Sequence, residues 1–282
     1  MFSIVIPCHE NVELLKKVLA GLVTQNEKVP FEVILVDNDS REEDLNEVYK
    51  KYIDYIPLYL VKQPRLSHPM MPCKARNIGI MLAKYDWIIN LDSDCIPNKN
   101  YLKYLRQHIN ANASNNMIIT GTRIFIDSKK ITDQDILSNE VQLETIEEIA
   151  SSSNYFLKKD RRLLLADSME TCSHPWALIH TCNTIYRKDT AIKVGGFDEE
   201  FDGCWGYEDT DFAYRMIKEG KAKPYYLSEI DCYHQEPKSH DHEERFNKTN
   251  NRNWALIQKK IPGIEQFKKD FYKKINSSIK VD

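Results

Sequence analysis

The sequence predicts an α/β fold with a mostly parallel central sheet flanked by helices. In the first half of the 282-residue chain, short apolar runs alternate with segments whose apolar residues recur at helical spacing. This alternation is typical of parallel strands joined by crossover helices. In such sheets, ligands bind outside the carboxyl ends of the strands. We therefore look for a functional site among the polar residues that follow each predicted strand.

Two strands and the helix between them open the predicted sheet. Residues 3–7 form an apolar run that ends at a proline, and residues 32–36 form a second run before a polar cluster. We expect Asn11 to cap the intervening helix, because asparagine is a preferred residue at that position. The apolar residues of this helix fall on one face: Leu15, Val18, Leu19 and Leu22.

The alternation continues with residues 56–61 as a third strand, 74–83 as a helix and 87–91 as a fourth strand. Polar side chains follow three of these four strands at once, which is where a ligand site is expected. They are His9, Glu10, Asp37, Asn38, Asp39, Asp92, Ser93 and Asp94.

The second half has a different character. Residues 133–150 predict an acidic helix, and residues 151–173 predict a loop or lid that orders when a ligand binds. We expect a helix over about residues 209–219, followed by two short strands at 223–227 and 232–234. The helix would turn its apolar residues inward: Phe212, Met216 and Ile217.

Composition excludes several classes of protein. The chain has 39 Lys and Arg against 42 Asp and Glu residues, a formal charge of −3, so we expect no nucleic-acid partner. The sequence has neither an apolar stretch of membrane-spanning length nor a recognisable signal peptide. The seven cysteines are odd in number and lack a C-x-x-C pair, which indicates reduced thiols. We therefore expect a cytoplasmic location.

The C-terminal residues are rich in lysine, and we expect them to form a helical tail. Such a run predicts a solvated helix face; the alternative is peripheral contact with the inner face of a membrane. The lysines are Lys259, Lys260, Lys268, Lys269, Lys273 and Lys274.

Three acidic groups are candidates for chemistry. Asp92 and Asp94 follow an apolar strand at spacing i, i+2, so both can reach one hard cation such as Mg²⁺ or Mn²⁺. Asp37 favours a turn in which its carboxylate caps backbone N–H groups, although it could instead recognise a base or ribose. Glu208 and Asp209 open a helix, where they either favour the helix dipole or provide a base for a hydroxyl nucleophile.

The order and spacing of several segments resemble family 2 glycosyltransferases of the GT-A fold. In the first half these segments are residues 3–7, 36–40, 75–79 and 91–94. In the second half, residues 195–201 and 205–209 look like the galactosyltransferase-type C-terminal segment. That segment is found in chondroitin-polymerase modules, β-1,4-galactosyltransferases and polypeptide N-acetylgalactosaminyltransferases. The resemblance covers roughly residues 1–235.

The resemblance implies a role for each matching residue on the donor side. Asp37 would contact uracil, and Arg76 the base or diphosphate. Asp94 and His234 would ligate Mn²⁺ or Mg²⁺, and Asp92 would face the ribose or a metal-bound water. The other residues implied to line the nucleotide-sugar pocket are Pro7, His9, Glu10 and Ser93.

On the acceptor side, the resemblance implies that Asp209 is the catalytic base, that Glu208 holds a sugar hydroxyl and that Trp205 packs against the sugar or acceptor. The reaction would move a hexose or N-acetylhexosamine from a UDP-sugar to a glycan or glycolipid hydroxyl with inversion. Two departures stand out: Tyr207 replaces a glycine common in the family, and residues 68–74 lack a glycine-bearing loop.

These roles divide the chain into a transferase domain over residues 1–240 and a tail at 241–282. Within the domain, residues 1–125 form a nucleotide-binding half and residues 176–240 form an acceptor and catalytic half.

The enzymatic alternative is a nucleotidyltransferase, which would normally carry a glycine-rich phosphate loop; residues 7–11 contain no glycine. The non-enzymatic alternative is a carbohydrate-binding protein on a degenerate transferase fold.

Overall fold

The computed structural model describes residues 1–40, 45–63, 71–112, 116–146, 169, 172–235 and 252–278. Its strands are β1 (Phe2–Cys8), β2 (Phe31–Asp37), β3 (Leu58–Lys62), β4 (Trp87–Leu91), β5 (Cys95–Pro97), β6 (Met117–Ile126), β7 (Asn183–Arg187) and β8 (Lys223–Gln235). Its helices are α1 (Val12–Val23), α2 (Leu45–Tyr52), α3 (Pro72–Leu82), α4 (Tyr101–Ala111), α5 (Asp133–Leu137), α6 (Lys188–Lys193), α7 (Glu208–Lys218), α8 (252–260) and α9 (Ile264–Ser278).

The strands form one eight-stranded mixed sheet in the order β3-β2-β1-β4-β7-β6-β8-β5. The first four strands in this order are mutually parallel, and β6 and β8 are also parallel. β7 runs antiparallel to both β4 and β6, and β5 runs antiparallel to β8. The carboxyl ends of β1, β2 and β4 therefore meet at one edge, as the sequence predicts.

Helices cover both faces of the sheet. Since successive side chains of a strand point to opposite faces, one strand contributes apolar residues to both clusters. In β1, Ile4 and Ile6 join the apolar cluster under α1, α2 and α4, whereas Val5 joins the cluster under α3, α6 and α7. The predicted inner face of α1 is confirmed. Its Leu15, Val18, Leu19 and Leu22 are at most 1% exposed, and burying each such side chain contributes roughly 1.5–3 kcal/mol.

Two predictions for the second half of the chain need correction. The helix expected over residues 133–150 ends at Leu137, because Asn139 adopts a φ of 58° and leaves the helical region; a short 3-10 turn follows at Leu143–Thr145. The two strands expected at 223–227 and 232–234 are one strand, β8. Residues 223–227 and 232–235 of β8 pair with β6, and the polar residues between these two segments lie at a register shift between Gly121 and Arg123, so the strand is continuous but irregular in its middle.

The C-terminal helices pack on the core. Ile257 and Ile261 of α8 and Ile264 of α9 are buried in the same cluster as the inner face of α7. None of the helices in the described ranges is long and apolar enough to cross a membrane. The predicted lid at 151–173 lies outside the described residues except for Met169, Cys172 and Ser173, and it stays a prediction.

Candidate active site

The carboxyl ends of β1 and β2 form the first part of the site. The Asp37 carboxylate accepts from the backbone N–H of Ser40 at 2.9 Å, and the Ser40 hydroxyl accepts from the backbone N–H of Glu10 at 2.9 Å. Nδ1 of His9 lies 3.0 Å from the carbonyl oxygen of Asn38, which assigns the ring proton to that nitrogen. Asp37 thus caps a turn, and the turn holds His9, Glu10 and Asp37 together.

Gln63 adds a polar group here that no motif includes. Its Nε2 donates to Oδ1 of Asn38 at 3.1 Å, and both residues are buried. Oε1 of Gln63 is buried and has no hydrogen-bond partner among the described residues, at the carboxyl end of β3. The rule applied to the other strand ends would have found it, since Gln63 directly follows β3.

The second part of the site is a cluster of possible metal ligands between β5 and β8. Cys95 pairs with His234 across these antiparallel strands, and Asp94 directly precedes β5. Oδ2 of Asp94 lies 3.5 Å from Nε2 of His234, and the ligand atoms of Asp94, Cys95 and His234 all lie within 4.8 Å of one another. In the described part of the chain, this is the one such group of three.

The donor atoms of this cluster fit a divalent cation. Burial raises the pKa of the Cys95 thiol well above its ordinary value, so the thiol stays protonated and donates to Oδ1 of Asp94 at 3.4 Å. The remaining ligands are one carboxylate and one imidazole. Carboxylate oxygen suits both Mg²⁺ and Mn²⁺, whereas imidazole is a common ligand of transition metals, so the pair favours Mn²⁺.

Arg76 joins the two halves of the chain in the third part of the site. Its guanidinium is buried 5.4 Å from the centre of the Phe197 ring. Nη2 donates to Oδ1 of Asp92 at 3.1 Å, and Nη1 lies 3.6 Å from Oε1 of Glu208. The end of β4 and the first turn of α7 therefore share one cation.

The carboxyl groups around Arg76 have raised pKa values. Burial raises the pKa of Glu208 to about 7, and the Asp209 charge adds to this, while Arg76 opposes it. Burial also raises the pKa of Asp92 to about 6 against the opposing effect of Arg76. Carboxyl groups that ionise near neutral pH are typical of functional sites. A cation bound beside Asp94 would favour the ionised form of Asp92.

The raised pKa of Glu208 predicts a pH-dependent stability. Between about pH 4 and 7 the folded state binds the Glu208 proton more tightly than the unfolded state, so the free energy of unfolding falls as pH rises. We expect Glu208→Gln to remove this loss. The free energy of unfolding of the variant should exceed that of the wild type by roughly 1–3 kcal/mol at pH 8, and the two should not differ in this way at pH 4.

Urea denaturation in EDTA at both pH values measures this difference. Glu265→Gln is the matched control, because Glu265 is an exposed glutamate in α9. A gain of equal size at pH 4 and pH 8 would show that the effect is not due to ionisation of Glu208.

The first turn of α7 presents Glu208 and Asp209. The preceding Gly206 and Tyr207 both adopt positive φ, at 90° and 71°. For a tyrosine this left-handed conformation costs about 1–2 kcal/mol, which accounts for the glycine common at this position. Oδ1 of Asp209 accepts from the backbone N–H of Thr210 at 2.7 Å, so the carboxylate binds a donor of the first turn, although the N-cap residue is Tyr207.

Two side chains hold α3, and with it Arg76, against the turn before α7. Asp202 accepts from the backbone N–H groups of Cys73 at 2.9 Å and Lys74 at 3.1 Å, which caps the first turn of α3. Asn77 accepts from the backbone N–H of Phe197 at 2.7 Å and donates to its carbonyl oxygen at 2.9 Å. Asn77 lies in a recognised motif, but nothing local in the sequence indicates the role of Asp202.

The predicted site residues thus lie in three groups. Asp92 and Asp94 are separated by Ser93 and link the Arg76 cluster to His234. Pro7 lies at the end of β1, and the turn after this strand holds His9, Glu10 and Asp37. Asp209 and Trp205 lie at the start of α7, and Trp205 is 39% exposed.

Comparison with known proteins places the chain among sugar-transferring enzymes. A profile described as glycosyl transferase family 2 matches residues 3–182, and one described as the N-terminal domain of galactosyltransferase matches residues 161–236. Chondroitin synthase of Pasteurella multocida (strain Pm70) is 30% identical over 93% of this chain, and chondroitin synthase of Escherichia coli is 29% identical over 92%. The chain spans only 27% and 38%, respectively, of the length of these relatives.

Solved structures share the fold. S. aureus TarS 1–349 in complex with UDP-GlcNAc superposes with a TM-score of 0.56 at 20% identity, covering 85% of this chain and 59% of that one. The mannosyltransferase PcManGT from Pyrobaculum calidifontis, in complex with GDP-Man and Mn²⁺, gives a TM-score of 0.59 at 14% identity, covering 86% and 59%. The GT-A fold is confirmed, and the chain belongs to glycosyl transferase family 2.

Proposed function

We propose that the chain transfers a hexose or N-acetylhexosamine from a UDP-sugar to a hydroxyl group of an acceptor glycan, with inversion and with Mn²⁺ or Mg²⁺ as cofactor. The observation that carries this proposal is the convergence of Asp94 and His234 beside the Arg76 cluster, at the end of the sheet where β1, β2 and β4 also end. One edge of the molecule thus brings together candidate cation ligands, a buried positive charge and two carboxylates at a helix start.

The donor proposal has two sources of support. The matched relatives include the two chondroitin synthases and a hyaluronan synthase of Pasteurella multocida, all named as enzymes that build sugar polymers. Neighbours in fold bind UDP, UDP-GlcNAc or GDP-Man.

We assign the nucleotide to the turn that holds His9, Glu10 and Asp37, together with Pro7, and the ribose to Asp92 and Ser93.

The diphosphate lies, in this proposal, between Arg76 and the cation. Bound at Asp94 and His234, the cation would neutralise charge on the departing diphosphate. Arg76 would add a second positive charge, and its burial strengthens the effect of that charge. Because Arg76 also contacts Glu208, donor binding and the first turn of α7 depend on the same side chain.

The acceptor lies against the start of α7. Asp209 takes the proton from the attacking hydroxyl while that oxygen forms the new bond to the anomeric carbon and the bond to the diphosphate breaks. Glu208 holds a hydroxyl of the donor sugar, and the exposed ring of Trp205 packs against the sugar or acceptor. The proposal therefore assigns the donor to residues 1–125 and the acceptor to residues 176–240.

A donor panel tests this function directly. The full chain is incubated with Mn²⁺ and, separately, with UDP-glucose, UDP-galactose, UDP-GlcNAc, UDP-GalNAc and GDP-mannose, and release of the nucleoside diphosphate is measured. We expect release from at least one UDP-sugar, faster with oligosaccharide acceptors than with water alone. Release from GDP-mannose alone would refute the uridine assignment. No release from any donor would favour a chain that binds carbohydrate without transferring it.

A further inference from the structure

Asn253, near the start of α8, binds the turn that leads into α7. Its side chain is fully buried, and its Nδ2 donates to the carbonyl oxygens of Phe201 at 3.0 Å, Cys204 at 3.2 Å and Gly206 at 3.0 Å. One amide group thus holds three carbonyls within six residues of chain. These contacts set the path of the backbone immediately before Glu208.

Two other side chains of α8 extend this attachment. Arg252 donates to the carbonyl oxygens of Asp202 at 2.9 Å and Glu200 at 2.8 Å. Lys260 pairs with the Asp198 carboxylate at 2.5 Å. The lysine-rich tail is therefore not only a solvated face, because Lys260 contacts the turn before α7.

Tyr207 joins the same turn to α9. Its hydroxyl accepts from Nζ of Lys268 at 2.6 Å, and its ring centre lies 5.3 Å from that of Trp254. The Lys268 ammonium lies 4.3 Å from the centre of the Trp254 ring, at cation–π distance. The tyrosine therefore points its ring at the C-terminal helices. A glycine would adopt the same positive φ without strain but would provide no such contact.

The turn is thus held from two sides. On one side α3, which carries Arg76, binds Asp202 and Phe197; on the other side α8 and α9 bind residues 198–207. Both α8 and α9 lie beyond the two matched family profiles, which end at residues 182 and 236. Residues outside the family profiles therefore contact the backbone that positions the candidate base.

We propose that α8 and α9 act as a brace, with Asn253 and Tyr207 as positioning residues that hold Glu208 and Asp209 in register with Arg76. The catalytic consequence rests on the proposed function, since it requires Asp209 to act as the base. The mechanical part does not, because it concerns only how rigidly the turn is held.

The test compares Asn253→Ala with Asn116→Ala in the full chain. Asn116 is a matched control: its side-chain amide donates to the carbonyl oxygen of Gly220 at 2.8 Å, just beyond the opposite end of α7. We expect Asn253→Ala to raise amide hydrogen exchange in peptides covering residues 199–209 at least tenfold and to lower donor-dependent UDP release at least tenfold. The affinity for UDP and Mn²⁺, measured by calorimetry, should change less than twofold.

Asn116→Ala should leave exchange at residues 199–209 and UDP release within twofold of the wild type. Unchanged exchange in Asn253→Ala, or an equal loss of activity in both variants, would overturn the brace. A wild type that releases no UDP would refute the proposed function, whereas the exchange comparison would still decide whether the brace exists.

Tyr207 provides a second variant that relieves strain instead of adding it. Tyr207→Gly removes the ring but suits the positive φ, whereas Tyr207→Phe keeps the ring and loses only the bond to Lys268. We expect UDP release to fall at least fivefold in Tyr207→Gly and less than threefold in Tyr207→Phe. Wild-type release by Tyr207→Gly would exclude Tyr207 as a positioning residue.

Discussion

Replacing Asp209 by asparagine is expected to lower kcat by about 10²–10⁴-fold, because positioned proton transfer typically contributes that much and an amide cannot accept the proton. Affinity for the donor should change little, since Arg76, Asp94 and His234 remain in place. Steady-state rates of UDP release and calorimetric binding of UDP with Mn²⁺ measure the two effects separately.

Asp189→Asn is the matched control for this substitution. Asp189 is also the second residue of a helix, α6, and its Oδ1 accepts from the backbone N–H of Thr190 at 2.7 Å, the same distance as between Asp209 and Thr210. The control therefore removes the same charge from the same position of a helix away from the site, and we expect it to retain wild-type kcat. Comparable losses in both variants would assign the effect to the loss of a negative charge at a helix start rather than to the base.

The stereochemistry of the product follows from the same assignment. A base opposite the departing diphosphate supports a single displacement, so an α-linked UDP-sugar should yield a β-linked product. NMR of the product distinguishes the two anomers. An α-linked product would refute the inverting mechanism, and near-wild-type turnover by Asp209→Asn would remove this residue from the role of base.

Removing the cation or its carboxylate ligand is expected to lower transfer at least about 10²-fold, because a bound metal contributes several kcal/mol of charge stabilisation in the transition state. EDTA should abolish UDP release by the wild type, and added Mn²⁺ should restore that release. In Asp94→Ala, added Mn²⁺ should restore little, since His234 alone would remain of the two proposed ligands. Initial rates across a Mn²⁺ titration measure the loss.

Asp54→Ala is the control for the loss of an aspartate, because Asp54 is exposed in the turn before β3, at the opposite end of the sheet's parallel strands. Its thermal melting and UDP release should match the wild type. Asp94→Ala should also melt within a few degrees of the wild type, because Asp94 is partly exposed. Full activity in EDTA would contradict a metal-dependent reaction.

Local patterns were sufficient for the parallel half of the sheet and for the residues at its edge. A buried strand must be apolar along its length, and a helix packed on one side must repeat its apolar residues every three to four positions, so both appear in a short window of sequence. The strand at residues 87–91 is confirmed at both ends, and the others differ by one or two residues, within the usual uncertainty of element ends. The same windows divided β8 into two strands, because the polar residues in its middle lie at a register shift between the two segments that pair with β6.

The sequence by itself determined the fold class, the family and the polar residues at the strand ends, because these depend on spacing within short segments. Only the tertiary structure decided that Arg76 lies between Asp92 and Glu208, that β5 and β8 bring Asp94 to His234, and that Asn253 holds the turn before α7. Most of these contacts join residues far apart in the chain, and a hydrogen bond or ion pair forms only where two side chains meet within about 3–4 Å. Packing of whole elements sets those distances, so no local pattern contains them.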